Sequence, residues 1–343
     1  MNPSDSLLDK EAHGTGTSGV PPPTSLFSRA MAARKPLHEP STEGGALPVS
    51  EMPEAAIPGA DFDTAGFEAL VRDISALTPS PDSILELWTL VSESVPLAAV
   101  AMFLPRADFL VPAAENGFPS GKDDSIPITL ASHAGRGPEL LDNEAKALIA
   151  PILGVSISMS LRASTMSGDS GVRGMWVYHD PALEASKAET LARLDNLLAG
   201  CAEGLPIPSM VEPSDDPGQA LLTVARKYAS ASVLAFDLRS FGVGDEVRFR
   251  GLKPDALRSS FLAACDTILS RGGLAIGFGD HSVGCLLGST STMDPDLALF
   301  QFRKTLRRLL PHLAAARFPE GRVLIIDPSS ESAFGDLSTF LSE

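Results

Sequence analysis

The apolar residues of this chain fall into short runs and helical stripes, each closed by turn residues, and that pattern restricts it to small mixed elements. Ala98 to Leu104, Phe109 to Ala114 and Ile126 to Leu130 are continuous apolar or near-apolar runs of strand length. Between and around them, apolar positions recur at helical spacing, as in Phe67, Leu70, Val71, Ile74 and Leu77. No run approaches the roughly 18–20 residues of a membrane span. The N-terminus, MNPSDSLLDKEAHGTG, has no signal-peptide core. The expectation is a protein without a membrane span, placed in the cytoplasm.

The 343 residues suffice for two ordinary domains, and a 44% hydrophobic content can fill their cores. Residues 1–60 are rich in Pro, Gly, Ser and Glu and lack apolar periodicity. Such a segment buries too little to offset its ordering entropy, so a disordered arm is expected there. Residues 204–218, with four prolines and several acids, read as a linker.

The 43 acidic and 27 basic residues leave a net charge of −16. That excludes a general nucleic-acid binder, which needs a cationic surplus against phosphates. Cys201, Cys265 and Cys285 sit in apolar stretches without metal-ligand spacing. They read as buried reduced thiols, which fits the cytoplasm.

Within residues 61–203, a second helix follows Asp82 or Ser80 as cap, and a third follows Asp142. Val155 to Leu161 alternates with period two and reads as a half-buried strand. Val172 to His179 is a further strand, and a long helix covers about 181–202. Within 219–343 the order is a helix, the strand Ser232 to Asp237, a helix after Pro254, and a hairpin turning at Asp280-His281-Ser282. A helix opened by Asp294-Pro295 follows, then the strand Arg322 to Asp327 and a short helix near Leu337 to Leu341.

The first order of elements resembles a GAF domain: paired N-terminal helices, an antiparallel sheet with an inserted helix, and a long C-terminal helix. The Asn-Lys-Phe-Asp-Glu motif of cyclic-nucleotide-binding members is absent. That resemblance implies a small-molecule or dimerisation module. The second order resembles a GGDEF-type diguanylate cyclase domain, carried by Asp237-Leu238-Arg239-Ser240-Phe241 after a strand and by Gly277-Phe278-Gly279-Asp280-His281-Ser282-Val283 at the hairpin. The fold class implied is mixed α+β or α/β, with a GAF-like sheet domain and then a cyclase-like ferredoxin-type core.

The same resemblance says what is missing. Such chemistry needs two divalent ions bridging phosphates, held by carboxylates. Asp237 keeps one carboxylate. Ser282 stands where the hairpin supplies the second, and a one-residue shift puts His281 there. Asp280 replaces the glycine that lets triphosphate approach the backbone. Gly242 stands for the usual Lys, Asp245 for the base-reading Asn, and the Arg-x-x-Asp motif is lost around Arg271.

No catalytic or metal site and no cofactor are therefore expected. Asp237, Phe241, Gly279, Asp280 and His281 form a vestigial ligand-binding set. Asp237 also reads as a capping group, and Asp280-His281 as a polar turn. The leading reading is a non-catalytic signalling protein. Its GAF-like part senses a ligand or self-associates, and its cyclase-like part binds a protein partner or a nucleotide. The alternatives are a nucleotidyl cyclase using Asp237 with Asp280 or Asp245, and a purely structural assembly protein.

Overall fold

Two helices, α1 (Thr64–Ser75) and α2 (Ser83–Ser94), lead into the first sheet. The computed structural model describes residues 64–343 apart from 96, 120, 123, 135–140, 169–170, 182–187, 240–250, 270–271, 289–293 and 315–317. The arm expected over residues 1–60 lies outside the described residues.

The first sheet is antiparallel and ordered β3-β2-β1-β5-β4. Its strands are β1 (Ala99–Arg106), β2 (Phe109–Asn116), β3 (Ile126–Pro127), β4 (Arg162–Gly168) and β5 (Gly171–His179). Helices α3 (Ile128–Ala134) and α4 (Asn143–Ile152) are inserted between β3 and β4, and α5 (Ala188–Gly200) follows β5. This is the order that marks a GAF-like unit. One face of the sheet is closed by its own apolar side chains together with those of the inserted helices. Ala101, Phe103, Leu110, Ile149, Met175 and Val177 are all fully buried there.

The second sheet is also antiparallel and ordered β7-β8-β6-β9. After α6 (Pro217–Ala225), the chain runs β6 (Ala231–Asp237), α7 (Pro254–Leu269), β7 (Leu274–Phe278), β8 (Ser282–Leu287), α8 (Pro295–Leu309), α9 (Pro311–Ala314), β9 (Gly321–Ile326) and α10 (Ala333–Ser342). The β6-α7-β7-β8-α8-β9 core is the βαββαβ arrangement of a ferredoxin-type fold. Helices α7 and α8 cover one face, where Phe236 packs on Phe261 and Phe302 at 5.3 and 6.0 Å between ring centroids. Helices α6 and α10 cover the other, with Val233, Ala235, Leu286 and Leu337.

The two sheets share one core. Trp88 and Trp176 from the first belong to the same buried cluster as Phe236 and Phe261 from the second. The backbone joins them as well. Gly251 O accepts from Glu115 N, and Lys253 N donates to Ala113 O, each at 2.8 Å. Segment 251–253 thereby adds an antiparallel bridge to β2. Gly251 sits at φ +82°, and a Cβ there would lie 2.0 Å from the Glu115 carbonyl oxygen, so the approach requires glycine.

Several local expectations are corrected. Val155 to Leu161 is not a strand: it is a serine-stabilised turn, and the strand starts at Arg162. Ser158 N donates to Ser156 Oγ at 3.3 Å and Met159 N to Ser156 O at 3.0 Å, the local alternative that serine offers its own backbone. Ile157 is left 52% exposed. The run Ile126 to Leu130 is a strand only as far as Pro127, after which helix α3 begins. Proline suits the entry to a helix and cannot extend the sheet ladder as a donor. Asp142 does cap α4, accepting from Ala145 N at 2.7 Å. Asp82 stands before α2 but makes no side-chain cap to it.

Residues 204–216 lack regular structure, yet they dock between the sheets. Met210 is 3% exposed. Met210 N donates to Pro105 O and Ser214 N to Gly277 O, each at 2.8 Å. Arg173 on β5 holds the start of the segment, donating to Ala202 O at 3.0 Å and Leu205 O at 2.5 Å.

Candidate functional site

Four of the five residues expected to form a ligand-binding set meet where β6 ends beside the β7–β8 hairpin. Strand β6 is buried along nearly its whole length, which carries Asp237 out to the sheet's end. In the β6–β8 ladder Asp237 lies directly opposite Ser282. The next residue continues the contact, with Leu238 N donating to His281 O at 2.8 Å. The sheet therefore brings Asp237, Gly279, Asp280 and His281 to one place. Phe241, with Gly242 and Asp245, lies outside the described residues.

Asp237 is occupied by a neighbour on its own chain. Arg239 Nε donates to both of its carboxylate oxygens, at 3.0 and 2.9 Å, and Arg239 Nη2 donates to Oδ2 at 2.6 Å. Arg239 N adds a backbone hydrogen bond to Oδ1 at 2.9 Å. This guanidinium fork holds the Asp237 carboxyl below the usual carboxylate range, chiefly through those side-chain hydrogen bonds. Stability from that shift is present above the unfolded-state value and is lost as pH falls through the folded-state value.

The cyclase resemblance implies a site for two Mg²⁺ ions, and the described residues do not fit them. The one retained carboxylate faces a cation, and its register partner is a neutral hydroxyl. Among the described residues no group of three or more His, Cys, Asp or Glu side chains is placed to bind a metal ion.

The hairpin itself is braced from behind. Arg258 on α7 is 1% exposed, and its Nη1 donates to Gly279 O at 2.6 Å and Asp280 O at 3.2 Å. Its Nη2 donates to Asp255 Oδ1 at 2.5 Å. A Cβ on Gly277 would stand 2.9 Å from Arg258 Cδ, so a bare strand backbone is needed beside this side chain. In front of the hairpin lies an open cleft of about 560 Å³, lined among others by Arg106, Pro112, Lys253, Asp255, Asp280 and His281. Both of its cations are engaged: Arg106 with Asp255 at 3.0 Å, and Lys253 with Glu115.

Neither Arg239 nor Arg258 stood out among the sequence candidates. Arg258 was legible in principle. It lies on the stripe of Phe261, Leu262 and Cys265, where a charged residue must bring its own partner, and Asp255 stands three residues earlier. Arg239 carried only the short Asp-x-Arg spacing. The thiols sit as expected: Cys201, Cys265 and Cys285 are buried, and burial pushes the Cys201 thiol up to about 12. On α8, Lys304, Arg307 and Arg308 are exposed, and Arg307 lies 5.3 Å from the centre of the Phe318 ring. No described helix is long and apolar enough to cross a membrane.

No family model matches the chain, and no curated protein matches it. Among solved structures it is similar to the GAF domain of A. aeolicus nlh2 in an inactive state, at 12% identity over 40% of this chain and 94% of that one, TM-score 0.30. It is also similar to a PelD fragment from Pseudomonas aeruginosa PA14 in apo form, at 17% identity over 81% of this chain and 95% of that one, TM-score 0.26. The same PelD fragment in complex with c-di-GMP aligns at 15% identity over 81% and 95%, TM-score 0.25.

Proposed function

We propose that the chain is a non-catalytic regulatory protein. In this reading residues 61–203 are a GAF-like domain, 204–218 a linker, and 219–343 a degenerate GGDEF-like domain that binds a protein partner or a nucleotide without turning it over. The observation that carries the reading is the Asp237–Arg239 fork opposite Ser282. A carboxylate already neutralised by a bidentate arginine, with no second anion in register, is a poor seat for Mg²⁺. The apolar filling of the first sheet's inner face supports coupling or pairing as the role of the GAF-like part. The buried free thiols support a reducing compartment, and we assign the protein to the cytoplasm.

The test is turnover. The purified chain, incubated with GTP or ATP and Mg²⁺ or Mn²⁺, is expected to yield no cyclic product above the protein-free control. Product at enzyme-like rates, abolished by Asp237→Ala, would overturn the reading. Titrating the same preparation with c-di-GMP, the molecule in the PelD complex, separates a nucleotide ligand from a protein partner.

A further inference from the structure

We propose that Arg106, Asp255 and Arg258 form a lever through which the first sheet sets the position of the β7–β8 hairpin tip. Arg106 is the last residue of β1 and pairs with Phe109 across the turn into β2, so it moves with the first sheet. Its Nη2 donates to Asp255 Oδ2 at 3.0 Å, while Nη1 lies 3.7 Å from Glu212 on the docked segment. Asp255 gives its other oxygen to Arg258, and Arg258 grips the carbonyls of Gly279 and Asp280. Three side chains thus join one sheet to the tip of the other sheet's hairpin.

The chemistry makes the linkage stiff where it must be and pliable where it ends. An arginine does not shed its charge on burial, so Arg258 has to keep an anion within reach. Asp255 supplies that anion and is shared with Arg106. A displacement of Arg106 pulls on the carboxylate that anchors Arg258, and Arg258 carries the hairpin carbonyls. The fulcrum is fixed by the bridge between Lys253 N and Ala113 O, two residues before Asp255. The far end is free to respond: Gly279 sits at φ +53° with no atom within 4 Å of where a Cβ would stand. The lever rests on the regulatory reading, because a linkage of this kind matters only to a protein that relays a signal between its two parts.

Hydrogen exchange on the full chain tests it without any nucleotide. Arg106→Gln keeps the stem and removes the charge. Amides over 277–283 are then expected to exchange several-fold faster, while 145–153 in the first sheet's own core stays at the wild-type rate. Arg106→Lys, which keeps the charge and loses the fork, is expected to fall between the two. Unchanged exchange over 277–283 in Arg106→Gln would overturn the proposal. So would an equal increase in both regions, which would mean general loosening. Because the readout involves no turnover, a chain that proved to be an active cyclase would leave this result standing.

Discussion

Trp88→Ala is expected to lower the unfolding free energy by about 3–5 kcal/mol, the range for deleting a fully buried large aromatic side chain. Trp88 is fully buried on α2 and stacks on Trp176 of β5, with ring centroids 6.1 Å apart and planes 7° from parallel. Its ring also reaches the second sheet's segment, since a Cβ on Gly251 would lie 3.2 Å from Trp88 Cζ2. Removing the indole therefore opens a void where the two sheets share their core. Urea unfolding would read it as a lower midpoint at an unchanged slope. A loss below about 1 kcal/mol, no more than an ordinary point mutation, would mean that the shared core does not pack as described.

Asp82→Ala is expected to cost about 2–4 kcal/mol, because it strips the partner from two backbone donors, one buried and one part-buried. Asp82 is fully buried, and its Oδ2 accepts from His312 N at 2.9 Å and Leu313 N at 3.2 Å. Oδ1 accepts from Ser80 Oγ at 2.5 Å. The carboxylate thus serves the chain turn at Pro311, more than two hundred residues away, instead of its own helix. The contact of the Glu86 carboxylate with His312 Nδ1 lies at the same junction. Asp82→Asn keeps an oxygen acceptor and is expected to retain part of the stability, as measured by the same denaturation. Equal losses in both variants would show that charge, not the hydrogen bonds, holds the junction.

Asp82 also shows where sequence reasoning reaches and where it stops. An acid before an apolar helical stripe correctly placed the start of α2, because helix entry is a local property. Its actual partners are set by the docking of the second sheet, which local spacing does not encode. The serine-rich Val155 to Leu161 failed for a related reason: period-two apolar residues mark a strand only when a partner strand pairs with them, and here serine closed a turn first. The hairpin at Asp280-His281 was legible, since strand length and turn residues fix its register, whereas Asp237 beside it was expected from the resemblance to the cyclase domain and not from local spacing. Arg258 was legible as a charge on an apolar stripe, but its grip on the Gly279 and Asp280 carbonyls was not, because those lie beside it only in space. Arg239 stood two residues from Asp237 with no more than a short spacing to mark the pair.

The most direct measurement is Mn²⁺ binding to the full chain in the presence of GTP, followed by electron paramagnetic resonance. If Arg239 and Ser282 leave the strand end without a seat for divalent ions, the spectrum stays that of free and nucleotide-bound Mn²⁺, and Asp237→Ala does not alter it. A coupled two-manganese signal that vanishes in Asp237→Ala would contradict the account.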